Sequence, residues 1–213
     1  MLEKLNLNNM ISTNDKVIRA ALRNILYKEL GNYQKNGYNA EVFEEFGVRH
    51  GAARIDFALI NGVMCGHEIK SDRDTLERLP EQMIEFNAVF DNLTLVVGKR
   101  HLYQAMHFIP EWWGVMVAKV DAHDQVFFQT IRESETNSGQ VKISIARLLW
   151  RKEALRILEE RDSADGVRHK PREFIYERLA NVSDINTLKV QVSALLVSRE
   201  GWRSDPQLAS NDD

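Results

Sequence analysis

The stretch Arg54–Gln82, RIDFALINGVMCGHEIKSDRDTLERLPEQ, decides how this 213-residue chain is read. Arg54–Ile60 and Val63–Lys70 flank Asn61–Gly62 and read as the two strands of a hairpin. A three-residue loop, Ile60–Asn61–Gly62, with Gly62 left-handed, sets Leu59 against Val63, Phe57 against Cys65 and Ile55 against His67. The apolar residues Ile55, Phe57, Leu59, Cys65 and Ile69 then share one side. The other side carries Asp56, Glu68 and Lys70. A two-residue loop would put Asp56 opposite His67 and mix the faces. Matching apolar faces sets register, so the longer loop is expected, with Asp56 diagonal to Glu68.

Before the hairpin, Thr13–Asn14–Asp15 offers helix-capping chemistry. Ile18, Leu22, Ile25, Leu26 and Leu30 follow at helical spacing, up to Gly31. Glu41–Gly47 reads as a first strand. After the hairpin, Asp74 can cap a second helix, whose stripe is Leu76, Leu79, Met83, Phe86 and Phe90. Leu93–Gly98 suits a buried strand reached by a helical crossover, hence parallel to its neighbour. A short helix, His101–Phe108, and two strands, Gly114–Val120 and Gln125–Arg132, come next. Helices are expected over Ile143–Arg161, Pro171–Ala180 and Ile185–Arg199. The fold class is α/β. An α-β-β-β-α-β core with a mixed sheet occupies residues 13–140, and a helical section occupies 141–202. Residues 1–12 and 203–213 read as flexible ends.

Two carboxylates and a lysine on one side of a sheet have a chemical use. Hard divalent ions take oxygen ligands and keep several waters. Asp56, Glu68 and the carbonyl of Ile69 can hold Mg²⁺ or Mn²⁺, which would activate a water and neutralise a phosphodiester oxygen. Lys70 would orient that water or steady the charge that develops. Alternating Asp, Glu and Lys on a strand also suits a solvated face with ordinary cross-strand ion pairs. The strongly apolar helix and strand that follow argue for cover, and a covered charged trio demands partners or a metal.

Asp56 followed by Glu68–Ile69–Lys70, on a hairpin between these elements, resembles the PD-(D/E)XK nuclease superfamily, with Ile55 in place of the usual proline. More narrowly, EIKSDRDTLERLPEQ, TLVVGKRH and IPEWWG resemble a largely uncharacterised bacterial family of such proteins. The resemblance implies a restriction-endonuclease-like core, Mg²⁺ or Mn²⁺, and hydrolysis of phosphodiester bonds, with DNA the expected substrate. It implies metal ligation by Asp56 and Glu68 and a catalytic role for Lys70. A further acid before the hairpin fits Glu45 best, with Glu44 and Glu29 as alternatives; an exposed strand glutamate is the plain reading. Gln82 falls where related nucleases place a glutamine beside the metal, although a solvent-facing helix residue fits it equally. Many sheet nucleases act as dimers, which makes a homodimer compatible. The superfamily also contains inactive members, so a catalytically silent nucleic-acid-binding or protein adaptor is the alternative.

Arg73, Lys99 and Arg100 flank the expected site and suit phosphate contacts, as does the basic cluster Arg168, Lys170 and Arg172. Each also suits a surface ion pair or solvated turn. Trp112–Trp113 could stack on a base or pack in the core. The net charge of −3 confines any grip on nucleic acid to local basic patches. One cysteine, Cys65, excludes a disulfide framework and a multi-cysteine zinc site. Neither a phosphate-binding glycine loop nor a Ser-His-Asp or Cys-His arrangement can be made out. No apolar run approaches the roughly 20 residues of a membrane helix. Met1–Asn9 lacks a signal layout, so a cytoplasmic location is expected.

Overall fold

A computed structural model describes residues 12–121 and 125–199. The expected flexible ends fall almost wholly outside these residues. Helix α1 spans Asp15–Lys35, with the Asn14 side chain accepting from the Val17 N–H. It runs through Gly31 instead of stopping there. The strands are β1 (Glu41–Val48), β2 (Ala53–Ile60), β3 (Met64–Lys70), β4 (Asn92–Val97), β5 (Gly114–Val120) and β6 (Val126–Arg132). Helix α2 (Leu79–Asn87) joins β3 to β4, and α3 (Leu102–Phe108) joins β4 to β5. The C-terminal helices are α4 (Lys142–Ala146), α5 (Arg151–Glu160), α6 (Arg172–Val182) and α7 (Ile185–Ser198).

The six strands lie in sequence order in one sheet. The β3–β4 and β4–β5 pairs are parallel, and the β1–β2, β2–β3 and β5–β6 pairs are antiparallel. The α/β fold class and the α-β-β-β-α-β order are therefore present, as read from the sequence.

Each face of the sheet is covered, as parallel central strands require. Ile18, Leu22, Leu26 and Leu30 of α1 pack with Val42, Phe57, Leu59, Ile69 and Val96 on one face. On the other, Phe46, Ile55, Ala58, Ile60, Leu93 and Leu95 pack with Leu79 and Phe86 of α2. Ile145, Leu158, Leu179, Leu188 and Val192 of the C-terminal helices belong to that same cluster.

Three further local expectations are corrected. The helix expected over Ile143–Arg161 breaks between α4 and α5. Trp150 is extended there (φ −69°, ψ 152°), and its N–H donates to Glu153 Oε2 at 2.7 Å. The break lets Leu148 and Leu149 be buried beside Ala154 and Leu158. Asp74 does not cap α2. Its Oδ2 accepts from the N–H and hydroxyl of Ser71 at 2.7 and 2.6 Å, closing a turn, and α2 begins later, at Leu79–Pro80.

The third correction is the hairpin register. The loop has three residues, but they are Asn61–Gly62–Val63, with Ile60 paired to Met64, Leu59 to Cys65 and Phe57 to His67. Ile60 and Met64 are both fully buried while Val63 is 44% exposed, so pairing the first two and leaving Val63 in the turn hides more apolar surface. Gly62 takes the positive φ of 97° that the turn needs. Each β3 residue thus stands two positions further along β2 than the sequence suggests.

Candidate metal centre

The site forms where the alternation of β1 and β2 breaks. Glu44 pairs with Phe57 and Phe46 with Ile55, leaving Glu45 and Asp56 between them. Glu45 has φ +50°, a conformation that permits such an irregularity. Ile55 consequently packs with Ala58 and Ile60 on the α2 face, whereas Phe57 and Leu59 pack against α1. Ile55 therefore does not share a side with Phe57, as strict alternation would require. Asp56 sits at the break, and one further step along the β2–β3 register brings it level with Glu68.

Asp56 reaches toward α1. Its Oδ2 accepts the Ile69 N–H at 2.6 Å, and its Oδ1 is held by the guanidinium of Arg19. Glu68 reaches toward α2 and is almost completely buried. Its Oε1 accepts from Lys70 Nζ at 2.7 Å and from Gln82 Nε2 at 2.9 Å. Lys70 Nζ also donates to Gln82 Oε1 at 3.1 Å. Glu68 Oε2 is buried with no hydrogen-bond partner among the described residues.

Glu45, the acid chosen ahead of the hairpin, meets Arg19 at 2.7 Å. Glu44 instead pairs with Arg23, at 2.8 and 2.5 Å. Glu44 and Glu29 do not line the cavity. Arg19, Glu45, Asp56, Glu68, Lys70 and Gln82 line one polar cavity of about 400 Å³. Arg54 and Arg78 add two exposed cations to it.

Burial and the neighbouring Asp56 push the Glu68 carboxyl up to about 7, against the opposing effect of Lys70. Burial also raises Asp56, while Arg19 and the Ile69 N–H act against it. Burial would lower Arg19, but Asp56 and Asp15 outweigh it and hold the guanidinium above its ordinary range.

Among the described residues no cluster of three or more His, Cys, Asp or Glu side chains could hold a metal by itself. The donor chemistry nevertheless suits a hard dication, which takes one or two carboxylates and completes its shell with water and phosphate oxygens. Glu68 Oε2 is a buried carboxyl oxygen with no hydrogen-bond partner among the described residues. Asp56 can join it through Oδ1 if Arg19 moves. Ile69 gives Asp56 its N–H here, and its carbonyl is the third expected ligand.

Arg19 was not singled out by the sequence. Its spacing from Asp15 signals only an i,i+4 helix pair; nothing local links it to residues on β1 and β2. Of the expected phosphate contacts, Arg73, Lys99 and Arg100 are exposed beyond the end of β3 and the end of β4. The Arg100 N–H and guanidinium are tied to Asp72 at 2.7 and 3.3 Å. Arg168 is engaged with Glu159 at 2.6 Å, and Lys170 lies 6.0 Å from the Phe174 ring. Arg172 starts α6. These three do not line the cavity, but Glu173 beside Arg172 bonds His50 at 3.0 Å, and the neighbouring Gly51 is on the cavity wall. Trp113 is a core residue, fully buried, with Nε1 donating to Asn87 at 2.8 Å. Burial pushes the Cys65 thiol up to about 12, as inert packing demands.

The family described as Bacteriophage P4 protein cII matches residues 10–207. Protein cII of Enterobacteria phage P4 is 26% identical over 122 residues, 57% of this chain and 46% of that protein. The matched stretch thus spans just under half the length of that relative. Among solved structures, the SPO1766 protein of unknown function from Silicibacter pomeroyi matches 62% of this chain and 86% of its own, with TM-score 0.35 and 16% identity. No helix among the described residues is long and apolar enough to cross a membrane.

Proposed function

The chain belongs to the Bacteriophage P4 protein cII family, and from its site geometry we propose that it is a Mg²⁺- or Mn²⁺-dependent nuclease of the PD-(D/E)XK type, acting on DNA. The observation that carries this reading is Glu68 Oε2, a carboxyl oxygen buried without a hydrogen-bond partner among the described residues, beside Asp56 and Lys70. A buried carboxyl oxygen left without a partner in an otherwise well-paired polar cavity is completed by a proton or by a dication, and we infer the second.

Asp56, Glu68 and the Ile69 carbonyl would hold the ion, which supplies an activated water and neutralises a phosphate oxygen. Lys70 keeps its ammonium at the cavity, fixed between Glu68 and Gln82. From there it orients the attacking water and steadies negative charge on the phosphate. Gln82 braces both residues, accepting from Lys70 and donating to Glu68, so neither side chain swings freely. Arg54 and Arg78 supply positive charge for the flanking phosphates. A cytoplasmic location suits this activity.

Purified protein incubated with DNA and Mg²⁺ or Mn²⁺ should cut it, and Asp56→Ala and Lys70→Ala should not. Cutting that persists unchanged in both variants would remove the assignment. A second reading, a non-cutting nucleic-acid or protein adaptor on the same scaffold, has one observation in its favour. Both oxygens of Asp56 are satisfied by the protein's own donors. That reading predicts metal-independent DNA binding with steep salt dependence and no cleavage.

A further inference from the structure

We propose that Arg19 is a movable cation of this site: it holds Asp56 and Glu45 while no dication is bound, and turns onto a substrate phosphate once a dication takes Asp56. The inference rests on the metal-dependent reading above and adds a substrate-positioning residue to it.

One guanidinium here serves three carboxylates. Arg19 meets Asp15 through Nε at 3.2 Å, Glu45 through Nη1 at 2.7 Å, and Asp56 through Nη2. Glu45 and Asp56 come from the break in the β1–β2 ladder, and Asp15 lies one turn back on α1. The Asp56 oxygen that Arg19 holds is the one we assign to the metal, because the other is engaged by the fixed backbone N–H of Ile69, whereas a guanidinium on a long side chain can move. A dication and a guanidinium cannot share that oxygen without strong repulsion in a half-buried cavity. Both Asp56 oxygens are therefore engaged by the protein, whereas Glu68 is paired with Lys70 through Oε1 alone and its Oε2 has no hydrogen-bond partner among the described residues.

The geometry also provides a pivot. Asp15 is the most outward-facing of the two aspartates, with a side chain 44% exposed against 15% for Asp56. Arg19 can keep Asp15 as it releases Asp56, since its long side chain has several rotatable bonds. Its planar fork of N–H donors matches two phosphate oxygens. Metal entry would thus create a free phosphate-binding fork in the same cavity, and binding of metal and substrate would be coupled.

The test uses the full chain with Mn²⁺ as the probe, followed by loss of the free-ion electron paramagnetic resonance signal. Arg19→Met should bind Mn²⁺ about tenfold tighter than wild type, because the competing cation is gone. In a Lys70→Met background, to prevent cutting, Arg19→Met should weaken binding of a short DNA duplex about tenfold in Mn²⁺ and leave it unchanged in EDTA. Arg19→Gln, which keeps hydrogen-bonding capacity, should show the same pair of effects if Arg19→Met does not fold. Equal Mn²⁺ affinity in wild type and a folded Arg19 variant would overturn the inference and leave the metal site standing. Absence of Mn²⁺ binding in every protein tested would overturn both.

Discussion

Lys70 Nζ stands 2.7 Å from Glu68 Oε1, while the other oxygen of that carboxylate has no hydrogen-bond partner among the described residues. The two residues sit two positions apart on β3, with side chains on the same side of the strand. The pair alone leaves the glutamate electrostatically incomplete: burial first, and Asp56 second, push it up to about 7.

That shift fixes a pH dependence. A glutamate with an ordinary value of 4.5 in the unfolded chain and about 7 when folded binds more protons in the folded state between those limits. Metal-free stability therefore falls as pH rises from 4.5 through 7, by an amount on the order of 3 kcal/mol. Thermal melts in EDTA at pH 5 and pH 8 should show this loss. Glu68→Gln should flatten the difference, and Mn²⁺ should recover stability at pH 8 in wild type alone.

Lys70→Met removes the cation fixed between Glu68 and Gln82. Single-turnover cleavage should drop by roughly 10²-fold or more, as for loss of one group that stabilises transition-state charge. Circular dichroism should report an intact fold. Mn²⁺ affinity should hold or rise, since a competing positive charge has gone.

Gln82→Leu tests the brace. It leaves Glu68 and Lys70 each short of one hydrogen bond, a stability cost of about 1–3 kcal/mol by urea titration. Cleavage should fall about tenfold, less than for Lys70→Met, because Gln82 orients the charged groups and does not carry the charge.

The acids and the lysine were legible because a strand has period two, and a register error of two residues preserves the face. Glu68 and Lys70 therefore share a face even though the loop begins at Asn61, not Ile60, whereas Asp56 joins their cavity from the break in β2, on the α1 side. Gln82 was pointed to by the resemblance alone, since the apolar stripe of α2 leaves it equally at home facing solvent. Local spacing could not reveal the break in β1 and β2. Glu45 takes a positive φ that nothing in its identity advertises, and only the break explains why Ile55 and Phe57 join different cores. The contact from Arg19 to Asp56 spans 37 positions and depends on how α1 lies on the sheet. The interruption between α4 and α5 was hidden for a similar reason, since the apolar periodicity of Ile145, Leu148 and Leu149 continues through it.

Asp72 is a structural anchor just past the site. Its Oδ2 accepts from the Thr13 N–H and hydroxyl at 2.8 and 2.9 Å, and its Oδ1 from the Arg100 N–H at 2.7 Å. It thereby ties the start of α1 to the turn after β4. A Cβ on Gly98 would lie 2.6 Å from the Asp72 backbone nitrogen, so the packing there is close. Asp72→Ala strands these donors and should lower unfolding free energy by about 3 kcal/mol, with Asp72→Asn intermediate, by urea denaturation.

The most direct test of the central claim is anomalous scattering from crystals soaked in Mn²⁺. The account predicts a peak within coordination distance of Glu68 Oε2 and Asp56 Oδ1, with the Arg19 guanidinium moved off Asp56. Soaked crystals with no peak between the two carboxylates, and Arg19 still seated on Asp56, would contradict it.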